Sequence, residues 1–143
     1  MASFLDRLAG SDVLLADGAT GTNYHEMGIE PGKAPEEWVV EAPERVAELH
    51  RLFIEAGSDL LLTCSFGASS LRLADEALHG RAVEVNSRAA EIAREVAGPD
   101  RLVAGSIGPT GHLTDPLGPL THELAVSTFA EQVSTVAREV GVE

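Results

Sequence analysis

Three short apolar runs, each unbroken and each closed by small turn-forming residues, limit what this chain can fold into. They are Val13-Leu14-Leu15-Ala16, ending at Asp17-Gly18; Leu60-Leu61-Leu62, ending at Thr63-Cys64; and Leu102-Val103-Ala104, ending at Gly105-Ser106-Ile107-Gly108-Pro109. A strand with one wet face alternates apolar and polar residues. Runs without that alternation fit strands buried on both faces, as in a parallel sheet. Strands are therefore expected near 13–17, 59–64 and 102–107.

Helical stripes separate the runs. Pro43 suits a first helical turn, and Val46, Leu49, His50 and Phe53 follow at helical spacing toward Gly57. Val85, Ala89, Ile92, Ala93 and Val96 form a second stripe, closed by Gly98-Pro99. A third runs through Phe129, Val133, Val136 and Val140 to Gly141, with Thr121 as N-cap and Glu123 in the first turn, where the helix dipole favours an acid. Helices are expected over 43–56, 81–97 and 121–140. Strands alternating with helices give an α/β fold with a parallel sheet and right-handed crossovers.

The third stripe closes at Gly141-Val142-Glu143, the position at which a fourth strand would begin. Three two-faced strands would leave an open edge and uncovered apolar surface. At 143 residues the chain is also short of the roughly 250 of a typical (β/α)₈ barrel. Residues 1–143 are accordingly expected to be the N-terminal portion of such a barrel, about three βα units, truncated before the fourth strand.

Bulk properties narrow the partners. Hydrophobic residues at 44% and charged residues at 23% exclude a disordered chain. The 23 acidic against 10 basic residues give a formal charge of −13, which repels phosphate backbones and anionic lipid. Neither nucleic acid nor a membrane is an expected partner. No apolar run has signal-peptide or membrane-span length, so the expected location is the cytoplasm. Cys64 alone can make neither an internal disulfide nor a structural zinc site. His25, His50, His79, His112 and His122 show no ligand spacing. His50, on a helix facing the sheet, reads as a satisfied core histidine.

In parallel α/β folds chemistry gathers at the carboxyl ends of the strands. Three loops lie there, at residues 17–22, 63–67 and 105–111, all rich in small and hydroxyl residues. Such loops bring backbone N–H groups close to a carboxylate or phosphate. Asp17, at the mouth of a buried strand, either holds a ligand ammonium by a charge-assisted hydrogen bond or caps a turn.

Taken together, LLADGATGT, HRLFIEAGSDLLLTCSFGASSLRL and VAGSIGPTG resemble the homocysteine-binding barrel of the homocysteine S-methyltransferases, in that family's order and spacing. The look is closest to bacterial betaine-type members. The resemblance implies methyl transfer from a small donor to the thiolate of homocysteine, giving methionine, in the complete enzyme. It implies substrate-binding roles for Asp17 on the ammonium, for the Gly18 amide near the carboxylate, and for Thr63 lining the same pocket. Trp38 and Tyr24 fall where the family places aromatic pocket residues, and His112 sits beside the third loop. The family's zinc is held by three cysteines on later strands. Zinc is thus expected for the complete enzyme, with no metal ligand and no catalytic residue in this chain. Cys64 reads as a small buried residue. Gly67 stands where animal betaine enzymes place a tyrosine, which leaves betaine, S-methylmethionine and a methyl-corrinoid open as donors. A homo-oligomer is compatible with this reading. The rival readings are a non-catalytic fragment or binding module, and a related barrel enzyme acting on another thiol or amino acid.

Overall fold

The computed structural model describes residues 4–10, 13–18, 20–74 and 77–141. Its elements run α1 (Phe4–Leu8), α2 (Thr20–Glu26), α3 (Pro35–Glu41), α4 (Pro43–Glu55), β1 (Leu60–Leu62), α5 (Ala82–Ala97), β2 (Leu102–Ala104) and α6 (His122–Val140). The strands β1 and β2 pair in parallel, with Leu60 opposite Leu102, Leu61 opposite Val103 and Leu62 opposite Ala104. The expected α/β character and parallel pairing hold. Both strands coincide with their apolar runs and are shorter than the expected 59–64 and 102–107.

The first expected strand needs correction. Only Ala16 pairs, through an isolated parallel bridge to Leu60, so residues 13–17 lie alongside β1 without forming a strand. The Asp59 carboxylate accepts from the Leu15 N–H at 3.0 Å and pairs with Arg7 at 2.9 Å. The Leu15 amide thus serves a side chain. Val13 is 89% exposed and Leu15 53%, against the expected two-faced burial.

The three long helices fall where their stripes placed them, within a residue at each end. Pro43 occupies the first turn of α4, whose buried residues are Val46, Leu49 and His50. Val85, Ala89, Ile92 and Ala93 are buried on α5, which packs against α3, α4 and α6. Thr121 caps α6 by accepting from the Leu124 N–H at 3.2 Å, and Gly141 ends it in the left-handed conformation at φ 73°. Removing that cap by Thr121→Ala should cost about 1 kcal/mol in urea unfolding, and no loss would show the cap to be idle.

The face of α6 differs from the expected stripe. Its buried residues are Thr128, Gln132, Thr135 and Val136, whereas Val133 is 48% exposed. Hydrogen bonding sets this orientation. Gln132 Nε2 donates to the Ser65 carbonyl at 2.7 Å and to Asn86 Oδ1 at 3.1 Å, and Asn86 Nδ2 donates to the carbonyls of Ala68 and Ala82. These bonds satisfy the Gln132 Nε2 and turn that face of α6 inward, while Gln132 Oε1 has no partner among the described residues. The network also fixes the Ser65 loop to α5 and α6.

The segment between Ala16 and α4, read as a long loop, holds α2 and α3. Pro35 starts α3, and the Glu37 carboxylate reaches back to accept from the Ala34 N–H at 3.0 Å. The core lies beneath these short helices, with Tyr24, Val39, Val46, Leu49, Leu73, Val85 and Ile92 in one cluster.

Candidate substrate pocket

Because the strands are parallel, the turn after Ala16 and the loops after β1 and β2 open at one end of the sheet. The loops are tied together there. Ser65 Oγ donates to the Ser106 carbonyl at 2.9 Å, while Thr63 Oγ1 accepts from the Ser106 N–H at 2.9 Å. The short Thr63–Ser65 hydroxyl contact of 2.6 Å must then carry the Thr63 proton toward Ser65. Gly108 N–H donates to the Phe66 carbonyl at 2.9 Å. A Cβ at Gly108 would stand 2.6 Å from that oxygen, so only glycine permits this approach.

A cavity of about 710 Å³ opens above this junction. Gly18 and Thr63 form part of its wall, with Cys64, Ser65, Phe66 and Gly67 from the second loop and Ser106 and Pro109 from the third. Glu36, Lys33 and Arg72 also line it. Two of the three expected substrate-binding residues, Gly18 and Thr63, therefore share its wall. Asp17 sits at the edge and does not line the cavity: both its carboxylate oxygens accept from the Leu62 N–H, at 3.0 and 3.1 Å. It is only 7% exposed, and among the described residues no cation pairs with it. Burial pushes its carboxyl up to about 6, and the Leu62 N–H restrains the rise.

The aromatic expectations resolve differently. Tyr24 is fully buried and meets Trp38 edge to face, with ring centroids 5.6 Å apart and planes at 82°. Neither lines the cavity. His112 turns back on its own loop, where its ring contacts the Thr110 carbonyl. His25, given no role by its spacing, stands on the wall.

Glu36 is the residue that the sequence concealed. Following Pro35 in the first turn of a helix, it has the pattern of an ordinary dipole-favoured acid. Yet it is only 5% exposed, and its Oε1 accepts from the Gly67 N–H at 2.6 Å. No local pattern announces a contact between residues so far apart in the chain.

The residues present do not fit the zinc that the resemblance implies. Among the described residues no group of three or more His, Cys, Asp or Glu could hold a metal ion. Cys64 is buried, its thiol faces the Pro35 carbonyl at 3.6 Å, and desolvation with nearby Glu36 pushes it up to about 12. A thiol held protonated is a poor metal ligand. Metal analysis of the purified chain should therefore find no tight stoichiometric zinc; one zinc per chain would overturn this reading.

A pocket at the carboxyl ends of parallel strands is where an α/β protein binds its ligand. Sequence comparison narrows the class. The homocysteine S-methyltransferase family profile matches residues 14–143, and the chain belongs to that family. Betaine–homocysteine S-methyltransferase 1 of Bos taurus is 37% identical over 70 residues, which are 48% of this chain and 17% of the bovine enzyme. The S-methylmethionine–homocysteine S-methyltransferase of Rattus norvegicus is 36% identical over 84 residues, 57% of this chain and 23% of that one. The metallated form of the homocysteine methyltransferase MmuM from Escherichia coli superposes with a TM-score of 0.78 at 25% identity, covering 93% of this chain and 52% of the other. The chain thus spans about half of that structure and a quarter or less of the curated relatives it matches. Among the described residues no helix is long and apolar enough to cross a membrane.

Proposed function

We propose that this chain forms the N-terminal portion of a (β/α)₈ barrel and supplies the amino-acid end of a homocysteine pocket. The complete enzyme transfers a methyl group from a small cationic donor to the homocysteine thiolate. The sulfur's electron pair forms the new bond to the methyl carbon. The carbon–nitrogen or carbon–sulfur bond of the donor breaks, and its electrons leave with a neutral amine or thioether. The thiol proton passes to water before attack, a step for which the described residues offer no metal-ligand set.

The observation that carries the reading is Asp17, a buried carboxylate beside the cavity with a backbone N–H and, among the described residues, no cation for a partner. Burying an unpaired charge is costly unless a ligand later supplies the counter-charge. The ammonium of an amino acid does so, and the Gly18 backbone on the wall can meet its carboxylate. Thr63 is already bonded on both sides through its hydroxyl, so its part is to hold the wall's shape. The test is methyl transfer by the complete enzyme, followed with methyl-labelled betaine and S-methylmethionine. Labelled methionine that appears only with homocysteine is the expected result. No labelled methionine from either donor would refute a small-onium methyltransferase.

A further inference from the structure

The cavity holds a second carboxylate that Asp17 does not account for. Glu36 is on its wall, is 5% exposed, and is anchored through Oε1 by the Gly67 N–H at 2.6 Å. Its other oxygen, Oε2, has no hydrogen-bond partner among the described residues, and no Lys, Arg or His reaches salt-bridge distance. The wall lysine, Lys33, is committed to Glu41 at 2.7 Å and Glu37 at 3.8 Å. A carboxylate so placed is fixed in position and desolvated, with one oxygen still available.

Glycine at position 67 makes this placement feasible. A Cβ there would stand 3.1 Å from Glu36 Oε1 and 3.3 Å from Oε2. Any side chain at 67 would press on the carboxylate, so the open position and the buried acid are one arrangement. Phe66, 59% exposed and on the same wall, offers an aromatic face nearby. Carboxylate and aromatic face are the two groups that attract a soft alkylated cation.

We infer that Glu36 is a specificity residue that selects a positively charged methyl donor, its free Oε2 facing the methyl-bearing onium centre. The inference rests on the methyltransferase reading and extends it to the donor's side of the pocket. Glu36 on the cavity wall and Asp17 beside wall residue Gly18 each lack an ion pair among the described residues, and the proposed reaction brings two cations: the ammonium of homocysteine and the onium of the donor. The onium is also what betaine and S-methylmethionine have in common. A carboxylate selects for it by charge, whereas a purely apolar wall would accept an uncharged methyl-bearing analogue almost as well.

The test compares each onium with a neutral shape-mate, by calorimetric binding to the complete enzyme with methionine in place of homocysteine, so that no methyl transfer accompanies binding. The pairs are betaine against 3,3-dimethylbutanoate, and S-methylmethionine against 2-amino-5-methylhexanoate. The wild type should prefer at least one cation over its mate by about ten- to a hundredfold. Glu36→Gln keeps an acceptor for the Gly67 N–H and should reduce that preference to about threefold or less, with homocysteine affinity little changed. Gly67→Ala keeps the acid but crowds it, and should lower the preference in the same direction. It also stands in should Glu36→Gln fail to fold. A wild type without preference, or a preference surviving both substitutions, overturns the inference. Because the readout is binding, an enzyme that failed to transfer methyl groups would refute the methyltransferase reading separately.

Discussion

Asp17→Asn in the complete enzyme is expected to weaken homocysteine binding by about ten- to a hundredfold while leaving the fold at least as stable at neutral pH. In the proposed pocket the substitution removes a charge-assisted hydrogen bond to the ammonium, worth roughly 1.5–3 kcal/mol. Stability should move the other way. With its carboxyl pushed up to about 6 by burial, Asp17 must ionise at pH 7 against a desolvation cost of about 3 kcal/mol. Asparagine carries no such charge and still offers an oxygen to the Leu62 N–H. The donor KM should change much less, because the donor lies beyond the sulfur. Unchanged homocysteine KM and kcat/KM would reduce Asp17 to a turn residue.

A second large effect concerns acid. His50 is fully buried in α4, and neither ring nitrogen has a partner among the described residues. It is a core histidine as its position in the stripe suggests, but not a satisfied one. Burial lowers it from 6.5 to about 4. Between those values the unfolded chain holds a proton that the folded chain refuses, so folding stability falls as pH drops from 6.5 to 4, by about 3 kcal/mol. Asp17 acts oppositely. Its folded carboxyl is protonated below about 6 while the unfolded one ionises down to 3.8, so stability rises as pH drops through that window. In the wild type the two nearly cancel between pH 6 and 4. Denaturant unfolding at stepped pH should expose each in turn. Asp17→Asn should lose about 3 kcal/mol on acidification, whereas His50→Leu should gain stability as pH falls toward 4. Parallel pH profiles for all three proteins would show that neither group is perturbed.

What the sequence could convey was local. Pro43, Thr121, Gly98 and Gly141 mark helix ends through backbone chemistry that operates within a few residues, and the helices begin and end beside them. The α5 stripe was legible because alanine, valine and isoleucine face a packed core on that helix. The α6 stripe misled because Gln132 turns the helix to reach Ser65 and Asn86, partners far away in sequence. The run at 13–16 has strand composition, but Asp59 claims the Leu15 amide and leaves only Ala16 to pair. Asp17 could be picked out because it closes an apolar run, and Gly18 and Thr63 through the family resemblance; of the three, Gly18 and Thr63 line the cavity. Glu36 could not, since its meaning depends on Gly67 arriving from another loop.

The most direct test is a crystal structure of the complete enzyme with homocysteine bound. The ammonium should lie within about 3 Å of an Asp17 carboxylate oxygen, with the substrate carboxylate at the Gly18 amide and the sulfur directed away from both. Homocysteine bound elsewhere, or with its ammonium distant from an Asp17 still held only by the Leu62 N–H, would contradict the account.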